Sequence, residues 1–175
     1  MLNRMEETTM TSRKAISLLM GLLLVLFVSA SALAADELYG TWKLVSWKRT
    51  IVATGETSDV FGKAPQGYLI YGRDGRMLCI MTSENRPNIP DATKMTDKDK
   101  VVLYNSIIAY GGNYTFDGKN LKVKVDISWN ESWNGTFQER TITFDGNRII
   151  QTAPPTVGAL DGKLRALVNV WERVK

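Results

Sequence analysis

The segment Leu38-Tyr39-Gly40-Thr41-Trp42-Lys43-Leu44-Val45-Ser46-Trp47 decides the fold. A glycine precedes a tryptophan and a run of β-forming residues, which is typical of a strand that starts tightly and runs long. Gly40 lets another group approach the backbone closely, and Trp42 supplies a large apolar surface for the closed end of a core. Trp47 is five residues further on, so regular alternation predicts that it points to the opposite face.

A leader precedes this strand. Arg13 and Lys14 come before an apolar run from about Ile16 to Val28, and Ala32-Leu33-Ala34 follows. A basic start, a short apolar run and an A-x-A site predict a secretory signal peptide over residues 1–34 and a mature domain over residues 35–175. The alternative is a membrane anchor, but the apolar run is shorter than the roughly 20 residues of a spanning helix. We therefore expect a periplasmic or secreted protein with no stable membrane anchor after cleavage.

The composition excludes several classes of function. The net charge of +4 is too mild to argue for nucleic-acid binding. Histidine is absent and Cys79 is the single cysteine, which removes Ser-His-Asp triads, His-ligated zinc and an internal disulfide. No metal or cofactor motif is present, so we expect neither.

The pattern of the mature chain predicts a series of short strands. Four Asp-Gly pairs, which favour hairpin turns, stand between strand-like runs and predict about eight strands, each next to its sequence neighbour. The pairs are Asp74-Gly75, Asp117-Gly118, Asp145-Gly146 and Asp161-Gly162. Leu121, Val123, Val125 and Ile127 alternate with polar residues, which predicts one face in a core and one in water.

One helix is predicted over Thr96 to Tyr110. Thr96 and Asp99 have capping-box spacing, and Gly111-Gly112 is a typical helix stop. The run from Met77 to Met81 is apolar on both faces. We therefore expect this helix to cover its outer side.

Several segments resemble the lipocalin-like domain family, which belongs to the calycin-type β-barrels. The resemblance rests on the opening Gly-Thr-Trp-Lys-Leu-Val-Ser-Trp string and on further segments of the mature chain. These are Phe61-Gly62 with Pro65-Gln66-Gly67-Tyr68-Leu69-Ile70-Tyr71, Asp74-Gly75-Arg76-Met77, Ala109-Tyr110-Gly111-Gly112-Asn113-Tyr114, Asn134-Gly135 with Gln138 and Arg140, Thr152-Ala153-Pro154-Pro155, and Val170-Trp171-Glu172-Arg173-Val174. The resemblance implies an exported bacterial protein, mainly β, with a single antiparallel up-and-down barrel of about eight strands and one α-helix. It also implies that a late arginine, Arg173 or Arg140, stacks over Trp42 at the closed end, so that Gly40, Trp42 and Arg173 are structural.

A barrel of this size binds a ligand inside or fills itself with side chains, and both alternatives stay open. The candidate ligand-binding residues are Tyr68, Tyr71, Met77, Met81, Trp133, Gln138 and Arg140. Gln138 and Arg140 share one strand face, where a bound carboxylate or carbonyl is a suitable partner. The alternative is that Arg140 pairs with Glu131 or Glu139 at the rim.

The leading hypothesis is an exported barrel that binds a small apolar or amphipathic molecule without altering it. One alternative is a barrel enzyme of the isomerase or cyclase type acting on a small hydrophobic substrate. The other is an envelope interaction scaffold, whose sign is an exposed apolar patch.

Overall fold

The computed structural model describes residues 36–157 and 162–175. The strands are β1 (Gly40–Ile51), β2 (Thr57–Asp59), β3 (Gln66–Tyr71), β4 (Arg76–Thr82), β5 (Ile107–Phe116), β6 (Asn120–Ser128), β7 (Phe137–Asp145), β8 (Arg148–Val157) and β9 (Leu164–Arg173). Helix α1 spans Asp97–Asn105, and short 3-10 turns span Ala92–Lys94 and Glu131–Trp133. The predicted signal peptide and Asp161 of the fourth Asp-Gly turn lie outside the described residues. No helix within residues 36–157 and 162–175 is long and apolar enough to cross a membrane.

The strands form one closed antiparallel barrel. Consecutive strands from β3 to β9 pair with one another, and β1 pairs with both β3 and β9, which closes the sheet. The short strand β2 is an addition that pairs with β1 alone. The predicted mainly β, up-and-down barrel of about eight strands is therefore confirmed.

Because the strands alternate in direction, their connections alternate between the two ends of the barrel. The tight turns at Asp74-Gly75, Asp117-Gly118 and Asp145-Gly146 lie at one end, together with the start of β1. The longer connections, including the one with α1 and the one with the 3-10 turn Glu131–Trp133, lie at the other end. We call these the closed end and the open end.

A stacked tryptophan–arginine pair lies at the closed end. The Arg173 Cζ atom lies 4.2 Å from the centre of the Trp42 ring, and Arg173 Nη1 donates a hydrogen bond to the Tyr39 carbonyl oxygen at 2.7 Å. Trp42 is almost fully buried, and its Nε1 donates to the Leu38 carbonyl oxygen at 2.9 Å. Gly40 has φ +122°, and a Cβ there would stand 3.0 Å from Arg173 Nη1, so glycine allows the arginine to approach.

The expectation that Trp47 points away from the core is wrong. The register of β1 against β9 shifts between Leu44 and Ser46, because Val45 is an extra residue without an opposite partner. Such a β-bulge reverses the alternation beyond it. Trp47 consequently lies in the core, with its ring centre 4.7 Å from that of Phe61 in an edge-to-face arrangement.

The predicted helix is correct at its start and wrong at its end. Thr96 caps α1 and exchanges capping-box hydrogen bonds with Asp99. The helix ends at Asn105, and the chain from Ile107 pairs with β4 as strand β5. Pairing with β4 satisfies the backbone groups of both strands, and this outweighs the local helical spacing.

The outer side of β4 is not covered by α1. Helix α1 contains no buried residue, and Leu78 and Ile80 of β4 are about half exposed. Ile127 is likewise exposed, against the prediction of an inward position. Here the register shifts between Gly111 and Gly112, Asp126 is the extra residue, and both Asp126 and Ile127 are exposed.

Candidate functional site

The interior of the barrel holds polar groups among apolar ones. Most buried residues are apolar and come from the inward positions of every strand from β3 to β9 and of β1. Two buried residues are polar amides, Gln151 on β8 and Asn169 on β9, and they stand directly opposite each other. A buried amide is stable only when its hydrogen bonds are made, so its partners define a site.

Gln151 connects two aromatic side chains through the core. Its Oε1 accepts a hydrogen bond from Trp171 Nε1 at 2.9 Å, and its Nε2 donates to the Tyr71 hydroxyl oxygen at 2.7 Å. All three side chains are buried. Because the Tyr71 oxygen accepts this bond, its own hydroxyl hydrogen remains available as a donor. The opposite amide, Asn169, donates from Nδ2 to the Met81 sulfur at 3.7 Å, which is a weak bond to a poor acceptor.

Arg140 brings a positive charge to the inward face of β7. It stands opposite Leu121, which is buried, and its Nη2 donates to Gln138 Oε1 at 3.2 Å. Its Nη1 donates to the backbone oxygen of Glu139 at 2.6 Å. Among the described residues no carboxylate forms an ion pair with Arg140, and the Glu139 carboxylate pairs with Lys122 instead at 3.0 Å. The two rim pairings considered for Arg140 are therefore not formed.

Burial keeps the titratable groups near Arg140 protonated. Desolvation raises the pKa of Cys79 to about 12 and that of Tyr110 to about 12, and it raises the pKa of Tyr71 well above its usual value. The charge of Arg140 lowers all three pKa values, but by less than burial raises them. At neutral pH the arrangement thus offers a neutral thiol, neutral phenols as hydrogen-bond donors, and one cation.

Trp47 contributes a further donor toward the open end. Its Nε1 is buried and has no hydrogen-bond partner among the described residues. It stands opposite Asn169 in the register of β1 and β9. A buried indole N–H without a partner costs free energy, so a ligand or water oxygen that accepts from it gains affinity.

A cluster of aromatic rings lies on one side of the open end, near the connection between β6 and β7. The Trp133 ring centre lies 5.5 Å from that of Tyr110 and 4.7 Å from that of Trp129, both edge to face. Trp133 belongs to the 3-10 turn between β6 and β7, where the Asn130 side chain accepts from the Ser132 backbone N–H. These contacts hold an apolar rim next to the inward-facing Tyr110.

The candidate residues divide between the two faces of the barrel wall. Tyr71, Met77 and Met81 are buried in the core, and Gln138 and Arg140 are half-buried at inward positions. Tyr68 is half exposed on the outer face. It is three residues from Tyr71, and one regular strand cannot direct both side chains inward.

Sequence reasoning misses four interior residues. They are Trp47, Gln151, Asn169 and Trp171. Regular alternation predicts the outer face for Trp47, whereas Gln151 and Asn169 carry no motif. An amide within a strand-forming run, such as Gln151 in Arg148–Thr152, is the one signal that was available.

Comparisons with known proteins identify a family and several similar solved structures. The family model described as lipocalin-like domain matches residues 39–174. No curated protein matches the sequence. A lipocalin-like protein from Bacteroides uniformis ATCC 8492 has 11% sequence identity and a TM-score of 0.41, and the match covers 79% of this chain and 99% of that one. A structure of EF1p2_mFAP2b bound to DFHBI has 17% identity and a TM-score of 0.40, and the match covers 81% of this chain and 97% of that one.

The fold and its polar interior define a closed antiparallel barrel of the kind that binds ligands inside. The match of the family model over most of the chain shows to which family this barrel belongs. The chain belongs to the lipocalin-like domain family.

Proposed function

We propose that this protein is exported and binds a small amphipathic molecule in the barrel interior, with a carboxylate or carbonyl oxygen toward Arg140 and Trp47. The observation that carries the proposal is the buried Trp47 Nε1, which has no hydrogen-bond partner among the described residues. Arg140 adds an inward-facing cation whose guanidinium donates to two neutral oxygens, of Glu139 and Gln138, and pairs with no carboxylate there. A ligand oxygen would satisfy groups that otherwise carry a desolvation cost.

The apolar part of the proposed ligand is matched by the rest of the interior. Met77 and Met81 line it, and methionine adapts its shape to irregular apolar molecules. The rings of Tyr110 and Trp133 stand where a chain would enter from the open end. Export is supported by the basic start, the apolar run and the A-x-A site of residues 1–34.

A matched pair of ligands tests the role of the charge. Dodecanoate and dodecanol share one alkyl chain and differ in the carboxylate, and their binding can be followed by tryptophan fluorescence. We expect Arg140→Gln to weaken dodecanoate at least tenfold and to leave dodecanol nearly unchanged. Arg148→Gln is the matched control, since Arg148 pairs with Glu172 on the exposed surface and should change neither. Equal loss of both ligands in Arg140→Gln would contradict a carboxylate contact.

Native mass spectrometry of protein purified from its own host tests ligand binding itself. We expect a bound small molecule whose loss accompanies unfolding. Protein that is always empty and binds neither dodecanoate nor dodecanol would refute the proposal. N-terminal sequencing of the same sample tests export, because cleavage after Ala34 leaves Ala35 as the first residue.

A further inference from the structure

Two buried polar side chains are neighbours on the β1–β9 wall of the interior. Trp47 of β1 stands directly opposite Asn169 of β9, and their exposed fractions are 8% and 7%. Residues directly opposite each other on one face of an antiparallel pair have Cβ atoms about 4.5–5.5 Å apart, so one small group can contact both. We call Trp47 and Asn169 the wall pair.

The chain leaves hydrogen-bonding groups of both members of the wall pair unused. Trp47 Nε1 has no partner among the described residues, and an indole N–H can only donate. Within the same part of the chain, the one hydrogen bond of the Asn169 side chain is the weak bond from Nδ2 to the Met81 sulfur at 3.7 Å, so its Oδ1 remains an available acceptor. The wall pair thus presents one donor and one acceptor to the interior.

Apolar side chains surround the wall pair. The Phe61 ring packs edge to face on the Trp47 ring, and Met81 is the neighbour of the Asn169 amide. Phe61 and Met81 are both buried. Hydrogen bonds are stronger in such surroundings than in water, and polar groups that lack them cost more free energy. A ligand group that completes both bonds at once therefore gains more affinity here than at an exposed position.

The wall pair lies on a different part of the barrel wall from Arg140. The row of inward positions that contains Trp47 and Asn169 continues through Gln151 of β8 to Ile142 of β7. Arg140 is two residues before Ile142 and is the next inward side chain of β7 toward the open end. Strands β1 and β7 are separated by β9 and β8, and neighbouring strands are about 4.8 Å apart. One ligand oxygen at Arg140 therefore leaves the wall pair to a second group of the same molecule.

The contacts of Arg140 hold its guanidinium on the β7 side. Its Nη1 and Nη2 donate to the Glu139 backbone oxygen and to Gln138 Oε1, both on β7. A carboxylate suits this cation, but it only accepts hydrogen bonds and cannot donate to Asn169 Oδ1. A hydroxyl group both accepts and donates, which is what the wall pair requires.

We propose that the wall pair is a hydroxyl subsite, and that the ligand is an alkyl-chain carboxylic acid that carries a hydroxyl group along its chain. The hydroxyl oxygen accepts from Trp47 Nε1, and its hydrogen is donated to Asn169 Oδ1, while the carboxylate lies toward Arg140. This inference rests on the proposed function and deepens it, because it names the class of molecule that binds in the same interior. A ketone at the same carbon accepts from Trp47 but cannot donate to Asn169 Oδ1, so the subsite discriminates against it.

Calorimetric titration of protein expressed from the full-length coding sequence with a panel of substituted dodecanoates tests the subsite. Each member carries one hydroxyl or one oxo group at an odd-numbered carbon from 3 to 11, and unsubstituted dodecanoate is the reference. We expect at least one hydroxy acid to bind at least tenfold more tightly than dodecanoate and more tightly than the corresponding ketone. A ketone that binds as tightly as this hydroxy acid would overturn the assignment of a hydroxyl subsite.

Two variants locate the gain at the wall pair. Trp47→Phe removes the N–H and keeps an aromatic ring, and Asn169→Leu removes the amide at similar size. Both should lose the tenfold gain of the hydroxyl and still bind dodecanoate. Trp42→Phe is the matched control, because its Nε1 donates to the Leu38 carbonyl oxygen at the closed end, and it should keep the gain. A gain that persists in Trp47→Phe or in Asn169→Leu would contradict the subsite.

An NMR spectrum of the indole N–H groups gives a second measurement on the unaltered protein. We expect one indole signal, the one missing from Trp47→Phe, to move to lower field with the tightest hydroxy acid and not with dodecanoate. The same response of all indole signals to both ligands would overturn the proposal. Failure of dodecanoate and dodecanol to bind at all refutes the proposed function, whereas dodecanoate binding without a gain from any hydroxy acid refutes the hydroxyl subsite alone.

Discussion

The hydrogen-bonded connection between Tyr71, Gln151 and Trp171 predicts an energetic coupling through the core. Tyr71→Phe removes only the hydroxyl group, and it leaves Gln151 Nε2 buried without its 2.7 Å acceptor. An unsatisfied buried donor costs about 1–3 kcal/mol, so we expect the free energy of unfolding to fall by that amount. Gln151→Leu removes the acceptor of Trp171 Nε1 as well, and it should cost at least as much.

The double variant is the sharper measurement. Once Gln151 is replaced by leucine, the Tyr71 hydroxyl has lost its partner, so its removal should cost less than in the wild type. We expect an interaction energy of about 0.5–3 kcal/mol from the cycle, measured by urea unfolding with tryptophan fluorescence at equal slope. Tyr68→Phe is the matched control, since Tyr68 lies half exposed on the outer face and should stay within about 0.5 kcal/mol of the wild type. Additive effects, or a Tyr71→Phe protein as stable as the wild type, would show that the bonds do not stabilise the core.

Three further outcomes are expected. Trp42→Ala and Trp47→Ala should each cost about 3–5 kcal/mol in urea unfolding, because both rings are buried; a mild effect at Trp47 alone would contradict the bulge. Gly40→Ala should cost about 1–3 kcal/mol in the same assay, since its φ of +122° strains any other residue. Folding raises the pKa of Cys79 from 9.0 and of Tyr110 from 10.0, each to about 12, so the folded state holds these protons more tightly. Stability is therefore full below about pH 9 and should fall as the pH rises toward 12, with a shallower fall in Tyr110→Phe; unfolding midpoints between pH 8 and 11 measure this slope.

The architecture of the barrel was predictable because its signals are local and repeated. Each Asp-Gly pair marks a turn within a few residues, and Asp74-Gly75 and Asp117-Gly118 lie in turns that join neighbouring strands of the barrel. Period-two alternation then assigns the inward face of most of a strand, as it does for Leu121, Val123 and Val125. The end of the helix was not predictable in this way, because the pairing of Ile107 with Thr82 depends on a strand that lies 25 residues earlier in the chain.

The candidate site was only partly predictable for a different reason. A residue's chemistry shows that it can bind a ligand, but its odd or even position along the strand decides whether it faces inward. Tyr71 and Tyr68 have the same chemistry, and they face opposite sides of β3 because they lie an odd number of residues apart. The polar centre of the interior, Gln151, is hydrogen-bonded to Tyr71 of β3 and Trp171 of β9. Contacts between strands that are distant in the sequence produce no recognisable residue spacing, so this site could not be predicted.

Two of the three register shifts in the described strands explain why the wrong assignments of strand face fall at Trp47 and Ile127. Each bulge adds a single residue, Val45 on β1 and Asp126 on β6, and shifts every following side chain to the other face. The first shift brings Trp47 and its unpaired N–H into the interior, where we propose that a ligand binds. The second brings Ile127 to the surface, beside Leu78 of β4. One extra residue changes what the rest of a strand contacts, so the side chains beyond a bulge face the way that the pairing with the partner strand dictates, and the alternation in the sequence does not show it.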